Sequence, residues 1–217
     1  MDMKLYISDT REHFDLCGAE LLEEERRIRL YRYRRLEDQA RCLTAGLMLR
    51  CVLGKDAAAC ITLSRFGKPF LPGGPCFNLS HSGDKVVLLV DDKQMVGVDV
   101  ERIDAAPLTV AKKVFTASEQ QWLWHQAKDE AFFRLWTGKE AIMKALGLGL
   151  QLPPESFHIH PDSDSANAVR GYDWYLHWLE IDGHMICTAT GRSEAPQNPV
   201  LLTKSELLQK EITRRFD

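Results

Sequence analysis

The chain has 217 residues and a formal net charge of −3 at pH 7, with 45% hydrophobic and 27% charged residues. Those values fit a globular protein with one sizeable core or two small lobes, and they exclude a mainly disordered chain or one that binds nucleic acid over its whole surface. No apolar run is long enough to span a bilayer, and the amino terminus lacks a basic stretch followed by an apolar one, so the expectation is a cytoplasmic protein without membrane contact.

In chain order, the alternation from Lys4 to Ser8 predicts a strand, and the charged stretch 19–35 predicts interrupted helix. From Glu37 to Leu53, Ala40, Leu43, Leu47 and Val52 recur at roughly helical spacing, with Gly54 as the stop. Strands are expected at 59–63 and 77–80, then at 85–90 and 95–101 as a hairpin joined by DDKQ. The second half repeats the plan, with helices at 108–114, 118–126 and 130–146 and strands near 157–160, 174–180 and 185–190. Residues 161–171 are polar without a period and read as a loop, and the tail from 201 to 217 as a short amphipathic helix. The segments 43–54 and 136–147 align without gaps at Thr44/Thr137, Leu53/Leu146 and Gly54/Gly147, which suggests duplication and a ligand site between the two lobes. Six cysteines, Cys17, Cys42, Cys51, Cys60, Cys76 and Cys187, form no CxxC pair, so buried free thiols are expected in place of zinc or disulfides.

Five stretches could carry chemistry. In GVDVERI, residues 97–103, strand alternation puts Asp99 and Glu101 on one face, where two carboxylates repel unless a cation such as magnesium holds them; a solvated edge strand is the alternative. In LWTGKEAIMKALG, residues 135–147, Glu140 and Lys144 share one helix face, with Lys139 about 100° away. That pair is either a surface ion pair or a third metal carboxylate beside a cation for a leaving phosphate. In FNLSHSGD, residues 77–84, Ser80 and His81 could meet phosphate oxygens, and a nucleophilic triad is disfavoured because adjacent strand side chains diverge and no GxSxG elbow occurs. FGKPFLP, residues 66–72, presents Lys68 on a stiff segment, and 25–35 interleave six arginines, among them Arg26 and Arg29, with Tyr31 and Tyr33. The arginines fit a nucleotide phosphate, an RNA strand or a solvated face.

In this order, GKP, FNLSHSG, GVDVE and WTGKEAIMKALG resemble the signature set of the Sfp-type phosphopantetheinyl transferases over about residues 25–150, and LGLQLPPESFHI after the helix is also similar. The resemblance implies a pseudo-dimeric α+β fold of two lobes, 1–104 and 105–217, with coenzyme A in the cleft between them. It implies transfer of the 4'-phosphopantetheine group of coenzyme A to a serine of an apo acyl or peptidyl carrier protein, giving 3',5'-ADP, by a monomer. Asp99, Glu101 and Glu140 would hold Mg2+, with Glu140 also the base and Lys144 stabilising the leaving group. Lys68, Ser80 and His81 would contact the nucleotide, joined by Arg26, Arg29 and Arg41, the last from the similarity of EDQAR. Leu108, Val114, Phe115 and Trp122, with Lys112 and Lys113, are candidates to dock the carrier. Two rivals lack part of this pattern. A phosphoryl transferase with a small substrate would want a phosphate loop, and no GxxxxGK[ST] occurs. An arginine-rich RNA-binding or scaffold module leaves the three carboxylates unexplained.

Overall fold

The structure is a computed structural model that describes residues 3–196 and 198–209. Its elements run β1 (Lys4–Asp9), α1 (Glu24–Arg32), α2 (Leu36–Leu53), α3 (Lys55–Ala59), β2 (Thr62–Leu63), β3 (Pro69–Phe70), β4 (Cys76–Ser82), β5 (Lys85–Asp91) and β6 (Val96–Arg102). There follow α4 (Leu108–Val114), α5 (Ala117–Trp124), α6 (Lys128–Leu146), β7 (Ile159–His160), β8 (Ser165–Val169), β9 (Tyr172–Ile181), β10 (His184–Thr190), β11 (Val200–Leu201) and α7 (Lys204–Leu208). The fold is α+β.

Two main sheets carry it. One has the order β11-β1-β5-β4 and the other β6-β10-β9-β8-β7, with β2 and β3 forming a small ribbon. The helix α2 closes one core against the first sheet, through Leu43, Leu47 and Met48 on its side and Val86 and Leu88 from β5. On the far side, α6 closes a second core against the second sheet, through Leu135, Ile142, Leu176 and Ala189. A third core lies between the sheets, where Leu5, Ile7, Val87 and Leu89 meet Val96, Val98, Val100 and Ile186. The layers therefore run helix, sheet, sheet, helix. Both long helices end where expected, at glycines with positive φ: Gly54 at 95° and Gly147 at 66°, a backbone region open to glycine at little steric cost.

Three expectations are corrected. The strands at 85–91 and 96–102 do not form a hairpin: β5 pairs with β1 and β4, whereas β6 pairs with β10 and opens the second sheet. Being buried on both faces, β5 has a helix over one face and β6 over the other. The residues 59–63 form the end of α3 and only a two-residue strand. Within the expected loop 161–171, β8 pairs antiparallel with β7 and β9, entered and left through Asp164 and Arg170 at positive φ. All six cysteines are free as expected, although Cys17 and Cys60 are exposed. A helix does form in the tail as α7, while residues 210–217 lie outside the described residues. No helix among the described residues is long and apolar enough to cross a membrane.

Candidate active site

The edges of the two sheets, β4 and β6, lie side by side without pairing in one sheet, and polar side chains of β4 stitch the seam. Asn78 accepts from the Val98 amide through Oδ1 (2.8 Å), Ser80 donates to Asp99 Oδ1 (2.9 Å) and Ser82 donates to Glu101 Oε2 (2.6 Å). Alternation in β6 sends Val98 and Val100 into the inter-sheet core and Gly97, Asp99 and Glu101 toward α6. Gly97 makes the approach close. A Cβ there would collide with the Ala141 carbonyl and the Ala145 amide of α6, so only glycine lets the helix backbone lie against the strand.

That approach brings Lys144 onto the seam, where its ammonium donates to Asp99 Oδ1 (2.5 Å) and Ser80 Oγ (2.8 Å). One turn earlier, Glu140 lines the same cleft of about 240 Å3 with Lys144, Lys68 and Asn78. Burial raises the pKa of Glu140, and the charges of Asp99 and Glu101 raise it further against the opposing pull of Lys144. Glu101 is also raised, by burial first and by Asp99, although the hydrogen bond from Ser82 and the nearby Trp136 indole favour its charged form. Asp99 Oδ2 is buried without a hydrogen-bond partner. Among the described residues no three His, Cys, Asp or Glu side chains form a ready-made metal cage. Even so, three carboxylates close enough to repel, one with an unpartnered buried oxygen, form a donor set suited to a hard divalent cation.

Of the other expected residues, Lys68 lines the same cleft, whereas Arg26 and Arg29 do not. The Lys68 ammonium donates to the Ala145 carbonyl (2.6 Å) at the end of α6 and to the Val96 carbonyl (3.3 Å) at the start of β6, and burial lowers its pKa to about 8. His81 is exposed and diverges from Ser80; its pKa is lowered, by partial desolvation first and then by the charges of Arg41 and Lys144. Arg41, on α2, donates to the Gly83 carbonyl (2.7 Å) at the β4–β5 turn and to Asp38. Arg26 and Arg29 line a separate cleft that shares Pro69 with the first, and burial together with the charge of Arg29 lowers the pKa of Arg26. Gly46 of α2 leaves the space in which Arg26 lies, so α1 does not present all its arginines as an open face. Of the residues named for docking, Phe115 is core, and Leu108, Val114 and Trp122 pack against that core. The roles of Asn78 and Ser82 in the seam escaped the sequence reading, since a small polar residue on a strand carries no sign of the strand that will lie beside it, and so did that of Trp136, whose place on α6 says nothing of the strand the helix will cross.

The model of the 4'-phosphopantetheinyl transferase superfamily matches residues 95–191, a span that holds β6, α6 and β10. The 4'-phosphopantetheinyl transferase psf-1 of Bacillus pumilus is 36% identical over 201 residues, covering 86% of each chain. This chain belongs to the 4'-phosphopantetheinyl transferase superfamily. The 4'-phosphopantetheinyl transferase Sfp of Bacillus subtilis is 29% identical over 202 residues, covering 86% of this chain and 90% of its own. A phosphopantetheinyl transferase described as putative in Synechocystis is 32% identical over 173 residues, covering 69% and 70%. No observation favours the RNA-binding alternative.

Proposed function

We propose that this protein transfers the 4'-phosphopantetheine group of coenzyme A to a serine of an apo acyl or peptidyl carrier protein, giving holo carrier protein and 3',5'-ADP. The observation that carries this reading is the convergence of Asp99, Glu101, Glu140 and Lys144 where α6 crosses the β4–β6 seam, in a chain of this family. Asp99, Glu101 and Glu140 would hold Mg2+, and the unpartnered Oδ2 of Asp99 supports that assignment. When bound, magnesium supplies Lewis acidity, drawing charge from the diphosphate of coenzyme A.

The chain's own residues do the rest. Glu140 acts as general base, taking the proton of the carrier serine as the serine oxygen attacks the phosphorus that bears pantetheine. The bond from that phosphorus to the bridging oxygen of 3',5'-ADP breaks, and the Lys144 ammonium offsets the charge that gathers on the leaving group. Ser80 and Asp99 hold Lys144 in place. Lys68, Ser80, His81, Arg26, Arg29 and Arg41 contact the nucleotide and its phosphates, His81 through a ring N–H that donates to a phosphate oxygen. In this proposal the lobes 1–104 and 105–217 act as one unit, because β6 from the first carries the carboxylates in the sheet of the second. The setting is the cytoplasm, and the working species is a monomer.

Intact-mass spectrometry of an apo acyl carrier protein, incubated with this protein and coenzyme A in magnesium or in EDTA, tests the reading. The expected result is a gain of one phosphopantetheine that EDTA removes and Asp99→Ala abolishes while the far-UV circular dichroism is unchanged. Transfer by Asp99→Ala at the wild-type rate would move the metal elsewhere.

A further inference from the structure

Among the described residues, the largest fully buried side chain is a lysine outside the catalytic group. Lys139 is 1% exposed and faces Glu119, 0% exposed, at 2.9 Å. Taking two charges out of water is costly, and replacing such a pair by apolar residues often stabilises a protein, so stability alone is a weak reason for it. Its connections are more informative. The Lys139 ammonium donates to Glu119, to the Pro154 carbonyl (2.8 Å) and to the Phe157 carbonyl (2.7 Å). Through its two oxygens Glu119 also accepts from the Thr116 amide (2.7 Å), closing the capping box of α5, and from the Ile159 amide (2.8 Å) at the start of β7. One ion pair therefore joins α6, the first turn of α5, the segment 154–157 and an edge strand.

Its place on α6 gives it leverage. Lys139 immediately precedes Glu140 and points about 100° away from it around the helix. On the catalytic side, Gly97 offers α6 a close backbone contact, so no side chain at that position of β6 sets the rotation of the helix. A helix with side chains is about 10–12 Å across, so a turn of about 10° would move the Glu140 carboxylate by about 1 Å.

We propose that Lys139 and Glu119 are positioning residues, whose buried ion pair sets the rotation of α6 about its axis and so aims Glu140 and Lys144 at Asp99. The inference rests on the transferase reading for its kinetic consequence but not for its structural one.

The test compares Lys139→Met, Lys139→Met/Glu119→Leu and the wild type. The single variant leaves Glu119 buried and unpaired, and its thermal midpoint falls by roughly 10 °C. The double variant, with two apolar side chains in the same space, recovers most of that loss. Its kcat for phosphopantetheine transfer to an apo acyl carrier protein nevertheless falls by about tenfold to a hundredfold, with the KM for coenzyme A changed by less than about threefold. The indole N–H resonance of Trp136, the α6 residue whose indole lies near Glu101, shifts in the double variant with or without coenzyme A. A double variant with wild-type kcat, or with the Trp136 resonance unmoved, would overturn the proposal. Should it fail to fold, Glu119→Gln, which keeps the shape and gives up one acceptor, decides by the same two measurements. A wild-type protein that transfers nothing defeats the transferase reading, and the Trp136 resonance then decides the positioning role alone.

Discussion

Lys68 is caught between two demands. The carboxyl end of α6 favours a cation, and the ammonium meets the carbonyls of Ala145 and Val96, yet burial lowers its pKa from 10.5 to about 8. Between those two values the unfolded chain holds the proton that the folded chain has lost, so this group's contribution to stability rises with pH from about 8 to about 10.5. Phosphate binding runs the other way, since the positive charge disappears over the same range. Calorimetric titration with coenzyme A at pH 7, 8 and 9 should give an affinity that falls several-fold across pH 8 in the wild type. Lys68→Met should bind more weakly at pH 7 and stay level to pH 9. A level wild-type profile would remove Lys68 from the phosphate contacts. The residue types of this site could be read in the sequence because strand alternation and helical spacing are local; the tethering of Lys68 to the end of α6 could not, because it joins positions 77 apart.

At the scale of elements, the site depends on how closely α6 lies on β6. Gly97→Ala puts a methyl group into the Ala141 carbonyl and the Ala145 amide, which belong to helix backbone and cannot rotate aside. The helix must lift, at a cost of about 1–3 kcal/mol, and Lys144 is drawn away from Asp99. Urea unfolding should show that loss, and transfer to the carrier protein should fall by at least tenfold. Wild-type kinetics in Gly97→Ala would mean that the approach of α6 is not what aims Lys144. The sequence marked Gly97 as part of a strand and offered no reason for it, since the helix it admits begins about 30 residues later.

At the scale of the whole molecule, the carboxyl-terminal segment returns to the first sheet. Its strand β11 runs parallel to β1, the Leu202 amide donates to the Ile7 carbonyl (2.8 Å), Ser8 donates to the Leu202 carbonyl (2.8 Å) and Lys204 pairs with Asp15. Leu202 and Leu207 are buried in the core under α2. This return closes the first lobe without touching the seam. Leu207→Ala should therefore cost about 2–5 kcal/mol in denaturant unfolding and leave kcat unchanged at a temperature where the variant is folded. A kcat lowered in proportion to stability would show that the lobes are coupled more tightly than the separate cores imply.

The sequence by itself determined what depends on neighbours a few residues away. Both helix stops, the common face of Asp99 and Glu101, the common face of Glu140 and Lys144, and the order of the motifs all follow from local geometry, and with them the family. Only the tertiary structure decided which strands pair. Two apolar runs joined by a short turn, as at 85–90 and 95–101, read the same whether they form a hairpin or pass into different sheets, because either arrangement leaves apolar residues to bury. Here β5 needed cover on its second face, and β6 supplied it by joining β10. The same crossing laid β4 beside β6, put Ser82 and Trp136 on Glu101, and left Lys139 to be buried on the far side of α6, where only the packing of distant segments could give its charge a partner.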